Sequence, residues 1–199
     1  MSAMASLIFY LSPGASSMAP HIALHEVGET FESRVVSLKQ KREARPAEFL
    51  ALNPEGKVPT LVADGTVLTE VAAILYWLAR RHPEANLWPA GDLAAETRAI
   101  SWMSFIAATV HPARARGLDY AMQIFGIADQ RLGKHDWALG ARYSIADIHL
   151  FRLYWRFANA LKPPVGSLPN LEAHHERMMA RPAVRKTIEI ESAIGYDLP

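Results

Sequence analysis

Three serines stand at the first junction between an apolar run and a helical pattern: "LIFYL" leads into "SPGASSMAP" and then "HIALHEVGE", placing Ser12, Ser16 and Ser17 in one turn. The chain contains no cysteine, which excludes disulfide staples, thiolate metal clusters and a protein thiol nucleophile. The hydroxyls of this turn are therefore the groups whose chemistry needs explaining. Their simplest use is local, with Ser16 or Ser17 capping the helix that follows by accepting from one of its free N–H groups. His21 and His25 have the four-residue spacing that can share a metal, but no carboxylate follows His21 as a zinc-hydrolase pattern requires, and no third ligand is evident. No metal is expected. His174 and His175 are neighbours on a helix, point apart and read as surface residues, and the sequence carries no phosphate-binding glycine loop.

The composition sets the outer limits. With 199 residues, 50% hydrophobic and 21% charged, the chain can bury one large core or two small ones. A formal net charge of +1 asks for no polyanionic partner, and the basic stretch Lys39, Lys41, Arg42 and Arg45 is interrupted by Glu43, so nucleic-acid binding is not expected. The opening "MSAMASLIFYL" lacks a basic leader, and no stretch approaches the roughly 18 apolar residues of a membrane span. The expectation is a cytoplasmic protein without membrane contact.

The elements that must position the serine turn follow from periodicity and turn chemistry. Leu7 to Leu11 reads as a strand buried on both faces, because its apolar run does not alternate. The first helix has Pro20 in its opening turn and Gly28 as its stop, and Phe31 to Leu38 reads as a second strand, parallel to the first through a βαβ unit. A short helical piece spans Ala47 to Leu52, "NPEG" is a turn, and "VPTLVADGTVL" forms an antiparallel hairpin around Asp64-Gly65. Thr69 is the expected N-cap of the next helix, whose stripe is Ile74, Leu75 and Leu78 and whose end is Pro83. The proline-rich "HPEANLWPAGD" reads as a linker, after which no strand pattern recurs. Helical patterns cover Ala94 to Thr109, Leu118 to Leu132, Ser144 to Leu161, Leu171 to Ala180 and Ala183 to Ile190. Ser144 and Asp147 form a capping-box variant at the start of the third of these.

This order, with "NPEGKVPTL" before a hairpin, "VLTEVAAILYWLA" at the next helix and a capped "SIAD" in a helical half, resembles the glutathione transferase family over essentially the whole chain. The likeness is greatest to the bacterial beta class, whose first loop looks like "SPGASSMAPHIALHE". The resemblance implies an α/β plus all-α architecture: a thioredoxin-like N-terminal domain with a mixed four-stranded sheet, then an all-helical C-terminal domain. Expected boundaries are 1–81 for the glutathione-binding domain, 82–93 for the linker, and 94–199 for the helical domain that lines the electrophile site and the interface of a homodimer. Glutathione would be the co-substrate and a small hydrophobic electrophile the partner. The resemblance implies three alternatives in function: a detoxifying transferase, a glutathione-dependent isomerase or dehalogenase using transient thiolate addition, and a non-catalytic glutathione-binding or interaction module.

Residue by residue, the beta-class cysteine falls on Ser16, which removes mixed-disulfide chemistry with glutathione. A free thiol with a pKa near ~8.5 is only about 3% ionised at pH 7, and lowering that pKa by ~2 units takes about 2.7 kcal/mol of preferential stabilisation. One hydroxyl donating to a charged sulfur supplies about 1.5–3 kcal/mol and a helix N-terminus about 0.3–1 kcal/mol, so a serine at this position suffices. Ser16 is the implied donor, Ser17 the alternative, and the Tyr10 phenol a second donor. Pro59 is expected after a cis bond, with the Val58 main chain pairing with the cysteinyl unit of glutathione. Glu70 would accept the γ-glutamyl ammonium while N–H groups at the next helix start, including that of Val71, receive its carboxylate. Val71 stands where the family usually has serine or glycine. Lys39 would lie near the far end of the peptide. His111 matches a beta-class histidine near the sulfur, beside Pro112 where that class has lysine, and Tyr154 and Trp155 are expected on the electrophile-site wall.

Overall fold

In the computed structural model, which describes residues 7–39 and 45–196, the first strand β1 runs Leu7–Leu11 and splits its side chains between two cores. Leu7, Phe9 and Leu11 enter the main core, while Tyr10 joins Val36, Phe49 and Val58 in a smaller one on the other face. Burial on both faces explains why the strand reads as a continuous apolar run. Helix α1 spans Met18–Glu26, strand β2 Phe31–Val35 and helix α2 Ala47–Leu52. Strands β3 (Thr60–Ala63) and β4 (Thr66–Thr69) form the hairpin, and α3 covers Val71–Arg81. The sheet order is β2-β1-β3-β4, with β1 parallel to β2 and antiparallel to β3. That is the mixed four-stranded, thioredoxin-like sheet the sequence implied. Strand β2 stops three residues short of the expected Leu38, and of the basic stretch that follows it, Lys41, Arg42 and Glu43 lie outside the described residues.

The helical half begins with α4 (Leu93–Phe105), capped by Asp92, whose carboxylate accepts from the Ala95 N–H at 3.0 Å. The expected helix end at Thr109 is overrun. The rod continues through a π turn at Ile106–Val110, a short α5 at His111–Ala113 and a 3-10 turn at Arg114–Arg116, and Gly117 ends it with φ 90°. Pro112 has no N–H and its ring would collide with the carbonyl four residues back, so the preceding turn widens instead of breaking. Helices α6 (Leu118–Leu132), α7 (Ile145–Leu161), α8 (Pro169–Met179) and α9 (Pro182–Ile194) complete the chain. One apolar cluster runs from β1 to α9, so both halves share a core. No helix among the described residues is long and apolar enough to cross a membrane.

Helix α7 is the axis of this arrangement, buried on all sides from Ile145 to Phe157. Its start carries the expected capping box. The Asp147 carboxylate, itself fully buried, accepts from the N–H groups of Ser144 at 2.8 Å and Ala138 at 2.6 Å, and lies 3.1 Å from His174 Nε2. His174 is therefore a buried partner of Asp147 rather than a surface residue. The other capping expectations are corrected as well. Thr69 ends β4, and the residue preceding α3 is Glu70, whose side chain makes no capping bond. Asp129 on α6, which no sequence pattern flagged, accepts from the N–H groups of Asn170 and Leu171 at 2.9 Å each and so caps α8 from outside. We expect Asp147→Ala to cost about 3 kcal/mol or more of unfolding free energy, because it strands three buried partners, and Ser144→Ala about 1 kcal/mol; urea titration of both variants checks the order.

Candidate functional site

The turn between β1 and α1 separates its serines. Ser17 is fully buried, and its hydroxyl accepts from the Ser12 N–H at 3.0 Å and donates to the Ser12 carbonyl at 3.1 Å, stapling the turn instead of capping the helix. Ser16 is half-buried and donates to the Val58 carbonyl at 2.9 Å. Gly14 takes φ 73°, the left-handed conformation that this tight turn needs and that glycine adopts without steric cost.

Two buried ionisable groups from the helical half hold this turn. Glu191 on α9 accepts from the Gly14 N–H at 2.7 Å and lies 2.9 Å from His21 Nδ1. Arg152 on α7 donates through Nε to the Ala15 carbonyl at 2.9 Å and through Nη2 to that of Gly14 at 3.3 Å. His21 is thus oriented by Glu191, and His25 packs against the Phe31 ring.

A cavity of about 290 Å³ opens beside Ser16, lined by Val58, Pro59, Glu70 and Val71 from the sheet half and by Ala107, His111 and His149 from the helical half. The Val58–Pro59 peptide is cis. Glu70 has φ 68° although it is not glycine, a sparsely populated conformation that costs about 1–3 kcal/mol and places its backbone at the cavity immediately before α3. The N–H groups of Val71 and Ala72 lie at the positive end of that helix. Val71 is buried and adds its bulk to the wall.

The site's imidazoles are neutral at pH 7. Burial, then the charges of Arg152 and Arg114, hold the His111 pKa down at about 4, although the residue keeps an exposed edge at the cavity mouth. Burial, then Arg152 and His111, lower that of His149 to about 3, and its Nδ1 is buried without a hydrogen-bond partner. Both rings can donate or accept a single hydrogen bond without carrying charge.

Five of the residues expected from the sequence meet in this cavity with Ser16: Val58, Pro59, Glu70, Val71 and His111. The others lie elsewhere. Tyr10 does not line the cavity; its ring packs on Phe49 and its hydroxyl accepts from Arg34 at 3.0 Å. Lys39 is exposed and is not among the lining residues. Tyr154 lines a separate surface hollow with Val165 and His175, and Trp155 packs on Tyr196. Sequence reading passed over His149, Lys57 and Asn53. A lone histidine in the apolar run "ADIHLF" was the signal for the first. The Asn-Pro turn was the signal for Asn53, which accepts from the Glu55 N–H and donates to the Lys57 carbonyl at 2.8 Å, shaping the segment that ends at Pro59. Lys57 pairs with Glu55 at 2.8 Å, which raises its pKa.

A thioredoxin-like sheet whose cis-proline, serine turn and helix N-terminus line one cavity together with a helical half defines a two-part fold with its cavity between the parts. The comparisons give that fold its family. Residues 15–81 match the model of the glutathione S-transferase N-terminal domain and residues 98–182 that of the C-terminal domain. The chain is similar to glutathione S-transferase GstA of Escherichia coli O157:H7, at 32% identity over 92% of this chain and 98% of that protein. Among solved structures, a bacterial beta class glutathione S-transferase from Sphingomonas chungbukensis superposes with TM-score 0.81 at 33% identity, covering 92% of this chain and 98% of that one. A sphingomonad glutathione S-transferase complexed with glutathione gives TM-score 0.84 at 31% identity, covering 93% and 98%. The chain belongs to the glutathione S-transferase family.

The two serines should separate in stability measurements. Ser17→Ala leaves the buried Ser12 N–H without an acceptor and is expected to cost about 1–3 kcal/mol, whereas Ser16→Ala should stay within about 1 kcal/mol of wild type in the same denaturant titration.

Proposed function

We propose that the protein binds reduced glutathione in the cavity beside Ser16, stabilises the sulfur as thiolate, and transfers it to small hydrophobic electrophiles. The observation that carries this reading is the division of labour between the serines. Ser17 spends its hydroxyl on the turn, so the hydroxyl that faces the cavity at the N-terminal end of α1 is that of Ser16.

In the unliganded chain the one Ser16 proton is given to the Val58 carbonyl. A cysteinyl N–H brought to the same carbonyl as an added strand offsets the loss of that bond, and the hydroxyl is then available to the sulfur. Exchange from a neutral to a charged acceptor favours the thiolate by about 1–1.5 kcal/mol, and the positive end of α1 adds to it. Glu70 takes the γ-glutamyl ammonium, and the N–H groups of Val71 and Ala72 take its carboxylate. Lys57, on the cavity wall, supplies a cation at the far end of the peptide, near which the resemblance placed Lys39. A neutral His111 donates toward the sulfur or the leaving group without adding net charge. Tyr10 has no part in this reading, because it does not line the cavity and its hydroxyl accepts from Arg34. The same reading takes 1–81 and 94–199 as the two functional units joined by 82–93, and extends to a cytoplasmic homodimer with a role in detoxification, supported by the family.

The test is steady-state conjugation of 1-chloro-2,4-dinitrobenzene. Ser16→Ala is expected to lower kcat/KM about tenfold, or ~1.4 kcal/mol of transition-state stabilisation, and Glu70→Ala to raise the KM for glutathione with a smaller effect on kcat. Turnover unchanged in Ser16→Ala would overturn the role of that hydroxyl.

A further inference from the structure

The wall that the helical half gives to the cavity beside Ser16 consists, among the described residues, of one methyl and two imidazoles: Ala107, His111 and His149. The aromatic residues expected there, Tyr154 and Trp155, do not line it, so this wall carries neither a large apolar side chain nor a formal charge. His111 keeps an exposed edge, whereas His149 is only 2% exposed.

Among the described residues neither nitrogen of the His149 ring has a hydrogen-bond partner, and Nδ1 is shut away from water as well. A ring that lines the cavity with Nδ1 so placed presents its other edge, the one that carries Nε2. A proton on Nδ1 would be a buried N–H without an acceptor, so the neutral ring carries its proton on Nε2, where the cavity supplies partners. The helix holds this donor in place. His149 stands two residues beyond Asp147, which is anchored by the Ser144 and Ala138 N–H groups, and three before Arg152, which shares its face of α7 and donates to the Gly14 and Ala15 carbonyls. One side of one buried helix therefore bears both this imidazole and the group that holds the turn of Ser16.

A fixed neutral donor withdrawn from water stabilises an oxygen that gains negative charge more than one that does not. A conjugated ketone supplies such an oxygen. The glutathione thiolate adds at the β-carbon, the C–S bond forms, and the alkene π pair shifts to leave the oxygen as an enolate. The α-carbon then takes a proton from water, balancing the one the thiol released on ionising, and the carbonyl is restored. The imidazole keeps its own proton throughout.

We propose that His149 contacts the acceptor substrate, donating from Nε2 to its activating oxygen, so that conjugated ketones are preferred over electrophiles without such an oxygen. The assignment rests on the transferase reading above and narrows its substrate class.

The test compares glutathione conjugation of trans-4-phenyl-3-buten-2-one with that of benzyl chloride, whose chloride is displaced without charging an oxygen. His149→Phe is expected to lower kcat/KM about tenfold for the ketone and less than about twofold for benzyl chloride, while His149→Gln, whose amide N–H reaches near the place of Nε2, keeps most of the ketone activity. Equal losses on both electrophiles, no loss on the ketone in the phenylalanine variant, a glutamine variant as impaired as it, or no turnover of the ketone by wild type would overturn the proposal. Where the variants fail to fold, an unreactive matched pair decides on wild type. Acetophenone is expected to inhibit benzyl chloride conjugation about fivefold more strongly than ethylbenzene, and equal or weaker inhibition would overturn the proposal. Glutathione is titrated separately into wild type: its failure to bind would strike the transferase reading, whereas glutathione binding and benzyl chloride turnover alongside any of the overturning results would strike only this assignment.

Discussion

The position of one hydroxyl depends on ionisable groups brought from the far end of the chain. The turn that carries Ser16 is stapled from within by Ser17, and its Gly14 N–H and its Gly14 and Ala15 carbonyls are met by Glu191 on α9 and Arg152 on α7. Both side chains are buried, where leaving either without its partners costs several kcal/mol. The helical half is thus part of the serine turn's own structure as well as a wall of the cavity. The shared apolar core makes this possible, since α1 packs on α7 and α9 within a single cluster.

The same placement sets the electrostatics. Arg152 lies within influence of His111 and His149 and contributes, after burial, to keeping both rings neutral. On the proposed reading, a neutral pair beside the thiolate would leave stabilisation of the sulfur to Ser16 and the α1 terminus. Arg114, Arg152 and Arg156 line a second cavity that shares His111 with the first. The cavity beside Ser16 carries Glu70 and Lys57 on its wall, and the neighbouring one the three arginines.

Much of this was legible in the sequence because it is local. The strand at Leu7 to Leu11, the hairpin at Asp64-Gly65, the helix at Leu118 to Leu132 and the Ser144–Asp147 box follow from periodicity, turn residues and caps that act within a few positions. The resemblance brought Val58, Pro59, Glu70 and His111 together. What stayed hidden depends on contacts distant in sequence. Ser16 and Ser17 are chemically identical, and only the Ser12 backbone and Val58, 42 positions away from Ser16, tell them apart. Tyr154 and Trp155 lie on the right helix, but a helix buried all round gives no sign of which face meets a given cavity. The helical pattern ended at Thr109, and the widened turn before Pro112 let the rod continue to Arg116.

The central claim is that the site ionises the thiol it binds. The most direct measurement is a calorimetric titration with reduced glutathione at pH 7, repeated in two buffers of different ionisation enthalpy. A pKa lowered by ~2 units from a free value near ~8.5 predicts release of about 0.7 proton per site, seen as apparent enthalpies that differ between the buffers in proportion. Saturable binding with the same enthalpy in both buffers would contradict the account, because it would mean that the peptide is held without activation of its sulfur.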